Sequence, residues 1–489
     1  MKLVGNVLYS LTGTAAPAIL SIVTVPFYIA QIGADRYGTL AIAWVLLGYF
    51  GAADFGIGRA ITQRISTLRQ ADTQERVNAV WSALTVMVGF GVIITAVVYF
   101  FAKWYFAGPF DVDSEIRREA GSAVLTLALC TPVVAIGGVL SGSLMGLERF
   151  RAVSFATLIG NLGVLLLPLA ASYLISVEIS VLVLASLLAR LVGVIVLAIN
   201  VWATFFRTSL PSFSRADVKA LFNFGGWVMV SALMGPLMLI ADRFAIGIMR
   251  DAAAVAAFTI PFQVANRTLL FPIAVGQALF PRFASQGDVE SRSDCLQYAC
   301  FLGQIFAPVI VALICLAKPL LELWLGNQLD PRSISVAHIV LAGCWVNAIA
   351  VVPFAFVQAR GNPRFTALLH TAELPIFIVA MVILGWNFGL SGFAAAFALR
   401  CLIDCLILLR KAGFSHRAAF TGLAVPALLV ILALSVGTLV TDLRVLLAFA
   451  AALFLLTSTT AWLQLPDQVW QRVQSHPLTA KICALSSRQ

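Results

Sequence analysis

Apolar runs of about 20 residues, nearly free of charge, follow one another along almost the whole of this chain. A helix needs roughly 20 such residues to cross the hydrocarbon core of a bilayer. Runs of this kind lie at about 7–32, 37–60, 79–102, 120–145, 152–174, 181–204, 223–247, 254–280, 296–316, 334–358, 365–386, 392–409, 421–441 and 445–464. The sequence therefore predicts an all-α polytopic membrane protein with about 14 transmembrane helices. Composition agrees, because 61% of residues are hydrophobic and 11% charged, against roughly 45–50% and about 25% in soluble domains. A soluble globular protein is excluded. The first run is too long for a signal peptide, contains Pro17 and Pro26 and leads straight into a second span, so it is expected to stay uncleaved.

Positively charged loops resist translocation and stay on the cytoplasmic side. With the N-terminus inside, inner segments carry 19 Lys and Arg and outer segments 8. Both termini are therefore expected in the cytoplasm. The net charge of +10 is accounted for by these loops, and nucleic acid is not an expected partner. The outer loops are too short for an extracytoplasmic catalytic domain. The eight cysteines lack Cys-x2-Cys spacing or a neighbouring His and read as reduced packing thiols, not a metal site.

The chain also repeats itself. Gly146-Leu147-Glu148-Arg149-Phe150 after span 4 returns as Gly361-Asn362-Pro363-Arg364-Phe365 after span 10, 215 residues on. Asp35 and Asp251, Arg64 and Arg282, and Arg190 and Arg400 recur at offsets of 216, 218 and 210. Apolar sequence matches itself readily, but that does not explain matched arginines. The repeat predicts two six-helix lobes, 1–210 and 211–411, related by a pseudo-two-fold along the membrane normal. Residues 412–489 would add two further helices and a cytoplasmic tail.

A charge near the bilayer centre costs about 2.5–3.5 kcal/mol even on lenient scales, so it normally faces a cavity or a partner. Five arginines lie within spans. Arg190 and Arg267 sit mid-span with no acid three or four residues away, and are expected to face a cavity and contact an anion. Arg59 and Arg243 lie nearer span ends, where snorkelling competes with substrate binding. Arg400 has Asp404 one turn on and is expected to form a structural pair with it. The acids Asp54, Asp242 and Glu373 could pair with cations, carry a coupling ion or merely finish a helix. Asp54 stands out because Gly56 and Gly58 separate it from Arg59, a spacing that close helix packing explains equally well. His370, one turn before Glu373, reads as a buried hydrogen-bonding partner. In span 8, Gln263 and Asn266 join Arg267 and Gln277 in a wettable stripe, and prolines such as Pro261, Pro272 and Pro375 permit bending. No catalytic signature, metal or cofactor is expected.

From Tyr28 to Ser66, Gly33-Ala34-Asp35-Arg36-Tyr37-Gly38 and Asp54-Phe55-Gly56-Ile57-Gly58 resemble the polysaccharide transporter family, which includes the O-antigen flippases. That family belongs to the multidrug, oligosaccharidyl-lipid and polysaccharide exporter superfamily. The likeness extends to Gly146–Phe150 and to the Arg190 and Arg400 segments. It implies two lobes around a central cavity that opens to each side in turn and exports a lipid-linked oligosaccharide across the bacterial inner membrane. A polysaccharide polymerase and chain-length machinery would be partners. An undecaprenyl-pyrophosphate sugar suits cavity arginines, because a guanidinium binds phosphate oxygens in a fork. The alternatives are a peptidoglycan-precursor flippase, an ion-coupled drug exporter and a membrane polymerase. An acidic, aromatic cavity would favour the drug exporter, and the polymerase would need no six-span repeat.

Overall fold

The computed structural model describes residues 2–52, 57–69, 72–207, 210–285, 288–414, 416–440 and 442–463. Their secondary structure is helical: α1 (Lys2–Ala52), α2 (Ile57–Thr67), α3 (Thr73–Ala107), α4 (Ser114–Gly146), α5 (Phe150–Leu174), α6 (Ile179–Val201), α7 (Arg215–Met249), α8 (Ala252–Arg267), α9 (Leu270–Ser285), α10 (Asp288–Leu325), α11 (Arg332–Ala359), α12 (Pro363–Lys411), α13 (His416–Leu439) and α14 (Leu443–Leu463). Among the described residues, ten helices are long and apolar enough to cross a membrane, eleven when α8 and α9 count as one broken span. This falls short of fourteen partly because α1 and α12 each take up two expected spans.

Glycine makes that possible. α1 breaks at Gly33 (φ 79°) and α12 at Gly389 (φ 61°), in backbone regions that residues with a Cβ avoid. On a straight helix, Tyr28 and Trp44 would stand about 24 Å apart, yet their ring centroids are 5.3 Å apart. In α12 the Arg400 guanidinium lies 5.7 Å from the Phe377 ring, across what would be about 34 Å of straight helix. Each helix thus folds back into a hairpin.

The first compact unit runs from Met1 to Ile260. α4 lies at its centre and packs on α1, α2, α3 and α6. The core includes Ile61, Val80, Met87, Val139 and Leu144. Backbones meet closely: a Cβ on Gly142 would collide with the Gly58 carbonyl, and one on Gly38 with that of Ala252. Small residues at such crossings let helices associate where lipid removes the usual hydrophobic drive. The unit ends well beyond residue 210, because α7 packs along α2 and α3. Arg64 Nη2 reaches Asp217 Oδ1 at 2.7 Å at one end, and the Asp111 N–H donates to the Gly247 carbonyl near the other.

The second unit runs from Pro261 to Gln489. α11 packs on α9, α10 and α12, while α13 and α14 lie against α10. Buried polar groups find partners across helices, as where Trp345 Nε1 donates to the Gly303 carbonyl at 2.8 Å. The seven cysteines among the described residues are unpaired, six of them buried; Cys483 lies outside those residues.

The two turns matched by the repeat close alike. Glu148 (φ 59°) and Gly361 (φ 78°) are left-handed. The next N–H, of Arg149 or Asn362, donates to the carbonyl five residues back, the bond that ends a helix in a Schellman cap. Outward, α3 presents Val88, Val92, Ile93, Val97, Phe100 and Trp104, an apolar belt that only lipid covers without penalty.

Gly38→Val should drive a side chain into the Ala252 carbonyl and cost about 1–3 kcal/mol. Gly48→Ala, where a Cβ meets nothing within 4 Å, should be neutral or slightly stabilising. Thermal unfolding in detergent, followed by size-exclusion fluorescence, separates the two.

Candidate functional site

α4, α5 and α6 of the first unit line an open pocket of about 200 Å³. Its walls are thin because Gly137, Gly138, Gly160 and Gly193 line it beside Ser141 and Thr157. A Cβ on Gly193 would come within 3.1 Å of Gly160 Cα, so α5 and α6 approach closely enough for a long side chain on one to meet the other. Arg190, at mid-height of α6, lines this pocket. Its Nη1 donates to Asn161 Oδ1 of α5 at 2.9 Å, and its buried Nε has no acceptor. Among the described residues no carboxylate lies within 4 Å of it. The pocket is small against the roughly 300–1,000 Å³ of drug-sized sites. Asn161 was absent from the sequence-derived site, although an amide in an apolar span 29 residues from a mid-span arginine is itself a signal.

The stripe of span 8 falls at a break. α8 ends at Arg267, α9 begins at Leu270, and the two meet at 41°. The Thr268 and Leu269 N–H groups donate three residues back, to Ala265 and Asn266, which tightens the last turn before the bend. Gln263 and Asn266 are half-buried and Arg267 is exposed. One expected span of 254–280 is therefore two helices, with Gln263, Asn266 and Arg267 before the bend and Gln277 after it.

The other sequence-derived arginines divide by environment. Arg243 is 5% exposed and Asp242 1%, and they form an ion pair at 3.0 Å, so this arginine is committed to a neighbour. Arg59 is exposed on α2. Asp54 lies outside the described residues.

Arg400 and Asp404 do not form the expected pair, for no ion pair within 4.0 Å joins them. One helical turn sets two Cα atoms near each other but leaves the side chains free to choose. Arg400 lies over the rings of Phe377 and Phe397, at 5.7 and 5.5 Å, an attraction of the cation for the aromatic faces. Asp404 Oδ1 turns instead to His370 Nε2, 3.8 Å away on the other limb of α12. Glu373 joins them: His370, Glu373 and Asp404 each present a donor atom, all within 4.8 Å of one another. The sequence pointed to His370 and Glu373 as neighbours on one helix face; the hairpin adds Asp404.

Solved structures resemble this fold. "Lipid II flippase MurJ, inward closed conformation" matches with a TM-score of 0.74 at 14% identity, over 93% of this chain and 98% of that one. An inward-facing multidrug resistance MATE family transporter of the MOP superfamily matches with a TM-score of 0.69 at 15% identity, over 85% and 99%. The fold is that of these multi-pass membrane proteins. A family model described as "Polysaccharide biosynthesis protein" matches residues 3–286, more than half of the chain, and the chain belongs to that family. A Shigella flexneri protein named "Putative O-antigen transporter" is 27% identical over 409 residues, covering 83% of this chain and 97% of its own.

Breaking the buried Arg243 and Asp242 pair from one side, by Arg243→Met or Asp242→Leu, should cost about 3–5 kcal/mol and deplete the protein from membrane fractions. The double variant should recover much of that loss. Immunoblots of membranes with heat-aggregation curves read both; a double variant no better than either single would refute an ion-pair role.

Proposed function

We propose that this protein is a flippase that moves an undecaprenyl-pyrophosphate-linked oligosaccharide from the inner to the outer leaflet of the bacterial inner membrane, by alternating access, for surface polysaccharide assembly. The observation that carries this reading is Arg190. Arg190 is half-buried with its Nε fully covered, and a guanidinium withdrawn from water without a carboxylate is left short of a counter-charge. Here its Nη1 is fixed by Asn161 and the group faces a glycine-walled pocket. A phosphate supplies the missing charge, with oxygens placed for a guanidinium fork.

Arg267, beside Gln263 and Asn266 at the bend of α8 and α9, is a second contact for the anionic head. Arg243 drops out, since Asp242 neutralises it. Membrane potential assists: exporting two negative charges across about 100 mV, inside negative, gains roughly 4–5 kcal/mol. The name of the Shigella relative supports an O-antigen class of cargo. The relatives described above are named as transporters or a flippase, which supports transfer without chemistry, and the loop charges support a cytoplasmic position for both termini.

Purified protein in liposomes should expose a labelled lipid-pyrophosphate oligosaccharide on the opposite leaflet and return it chemically unchanged. Loss of a hydrogen bond to a charged group costs about 1.5–3 kcal/mol, so Arg190→Ala should slow exchange roughly ten- to hundredfold. Arg190→Lys should restore only part of the rate, because an ammonium lacks the fork. Recovery of polymerised glycan or free undecaprenyl pyrophosphate would establish an enzyme instead. Export of a cationic dye without lipid exchange would establish a drug exporter.

A further inference from the structure

The cluster on α12 has the composition of a proton site. His370 and Glu373 stand one turn apart on its first limb, Arg400 and Asp404 one turn apart on the second. Glu373 is 5% exposed and Asp404 7%. Both Glu373 carboxylate oxygens and Asp404 Oδ1 are buried without a hydrogen-bond partner, while the cluster atoms converge within 4.8 Å. Outside the triad, Arg400 rests on Phe377 and Phe397 and its Nη2 donates to the Cys401 thiol at 3.6 Å. The Cys405 thiol is Asp404's neighbour in sequence. α11 contributes the Phe354 ring, stacked on the His370 imidazole at 5.7 Å.

Charge counting identifies the occupant. Two ionised carboxylates against one guanidinium leave one negative charge in a low-dielectric site, where unpaired charge is expensive. One positive charge closes the balance. A divalent ion would overshoot it beside Arg400, and alkali ions prefer all-oxygen surroundings to imidazole. A proton on a carboxyl adds the O–H donor that the orphaned oxygens lack.

We propose that His370, Glu373 and Asp404 form a one-proton site within the second unit, with Glu373 as the holder and His370 as the route to water. The His370 side chain is 24% exposed, against 10% for that of Asp404, which makes the imidazole the more accessible of the two partners. On release, the Glu373 O–H bond breaks, the proton passes to the imidazole and then to water, and no other bond changes. The site is left with one net negative charge, which draws Arg400 from its aromatic rings toward the acids and tightens the hairpin. Reloading reverses this. In the flippase proposed above, on which the transport role rests, one proton exchanged per cycle ties export to the transmembrane pH gradient.

Infrared difference spectroscopy of the full-length protein in nanodiscs, between acidic and alkaline buffer, reads the site without any transport. A protonated-carboxyl stretch should titrate in the wild type, shift on labelling with 13C-glutamate and vanish in Glu373→Gln. The glutamate label keeps the test decisive if that variant does not insert. Absence of such a band, its persistence in Glu373→Gln, or its replacement by a requirement for sodium, zinc or manganese overturns the proposal. In liposomes held at fixed potential, one pH unit across the membrane should change leaflet exchange of the labelled lipid by up to about tenfold in wild type. The ratio of rates with and without the gradient should fall to about one in Glu373→Gln. A wild type that titrates but exchanges no lipid overturns the flippase reading and leaves the proton site standing. A Glu373→Gln that still responds to the gradient overturns the coupling.

Discussion

Low dielectric governs this molecule more than any single contact. In hydrocarbon every backbone polar group must be satisfied within its own segment, which leaves helices as the form these apolar runs can take. The same medium makes each buried charge answerable to a neighbour. The buried and half-buried arginines meet that demand differently. Arg243 takes the adjacent carboxylate. Arg64 and Arg282, at the ends of their helices, take Asp217 and Asp294, each at 2.7 Å. Arg400 leans on two aromatic faces, and Arg190 has a single amide. That last arrangement is the least complete, and so the most informative about what else belongs there.

Helix breaks follow the same logic. Reversing the chain at Gly33 and Gly389 costs a backbone conformation that only glycine adopts freely, and it saves a solvated loop. The 41° bend between α8 and α9 is of another kind. It lies between Pro261 and Pro272, residues that lack the amide donor of a continuous helix. The stripe read from sequence runs through a place where the helix itself is interrupted.

Periodicity and charge made most of the architecture legible in advance. The all-helical membrane fold follows from run length, and the cost of a charge in lipid is what singled out Arg190 and Arg267 for attention. The sequence could not reveal which partner each charge would choose. Arg400 and Asp404 satisfy the one-turn rule, yet the hairpin at Gly389 brings His370 to the acid and Phe377 to the base, and that competition is tertiary. Asn161 escaped for a related reason, since only the approach of α5 to α6 at Gly160 and Gly193 makes it a neighbour of Arg190. The compact unit also overruns residue 210, because α7 finds its packing partners in the helices before it.

The repeat gives these differences a common frame. Arg190 on α6 meets Asn161 on the preceding helix; 210 residues later Arg400, on the second limb of α12, faces the first limb. The same offset from Asn161 reaches Thr371, between His370 and Glu373. The helix before the arginine supplies an amide in one copy and a histidine and one acid in the other, where Asp404 on the arginine's own limb adds a second acid. An arginine facing an amide keeps its positive charge available, and can attract an anion. An arginine beside two carboxylates is outnumbered, and the balance calls for a cation. Under the proposals made here, the two copies therefore serve opposite charges, and the sign of the second is set by carboxylates from both limbs of its hairpin.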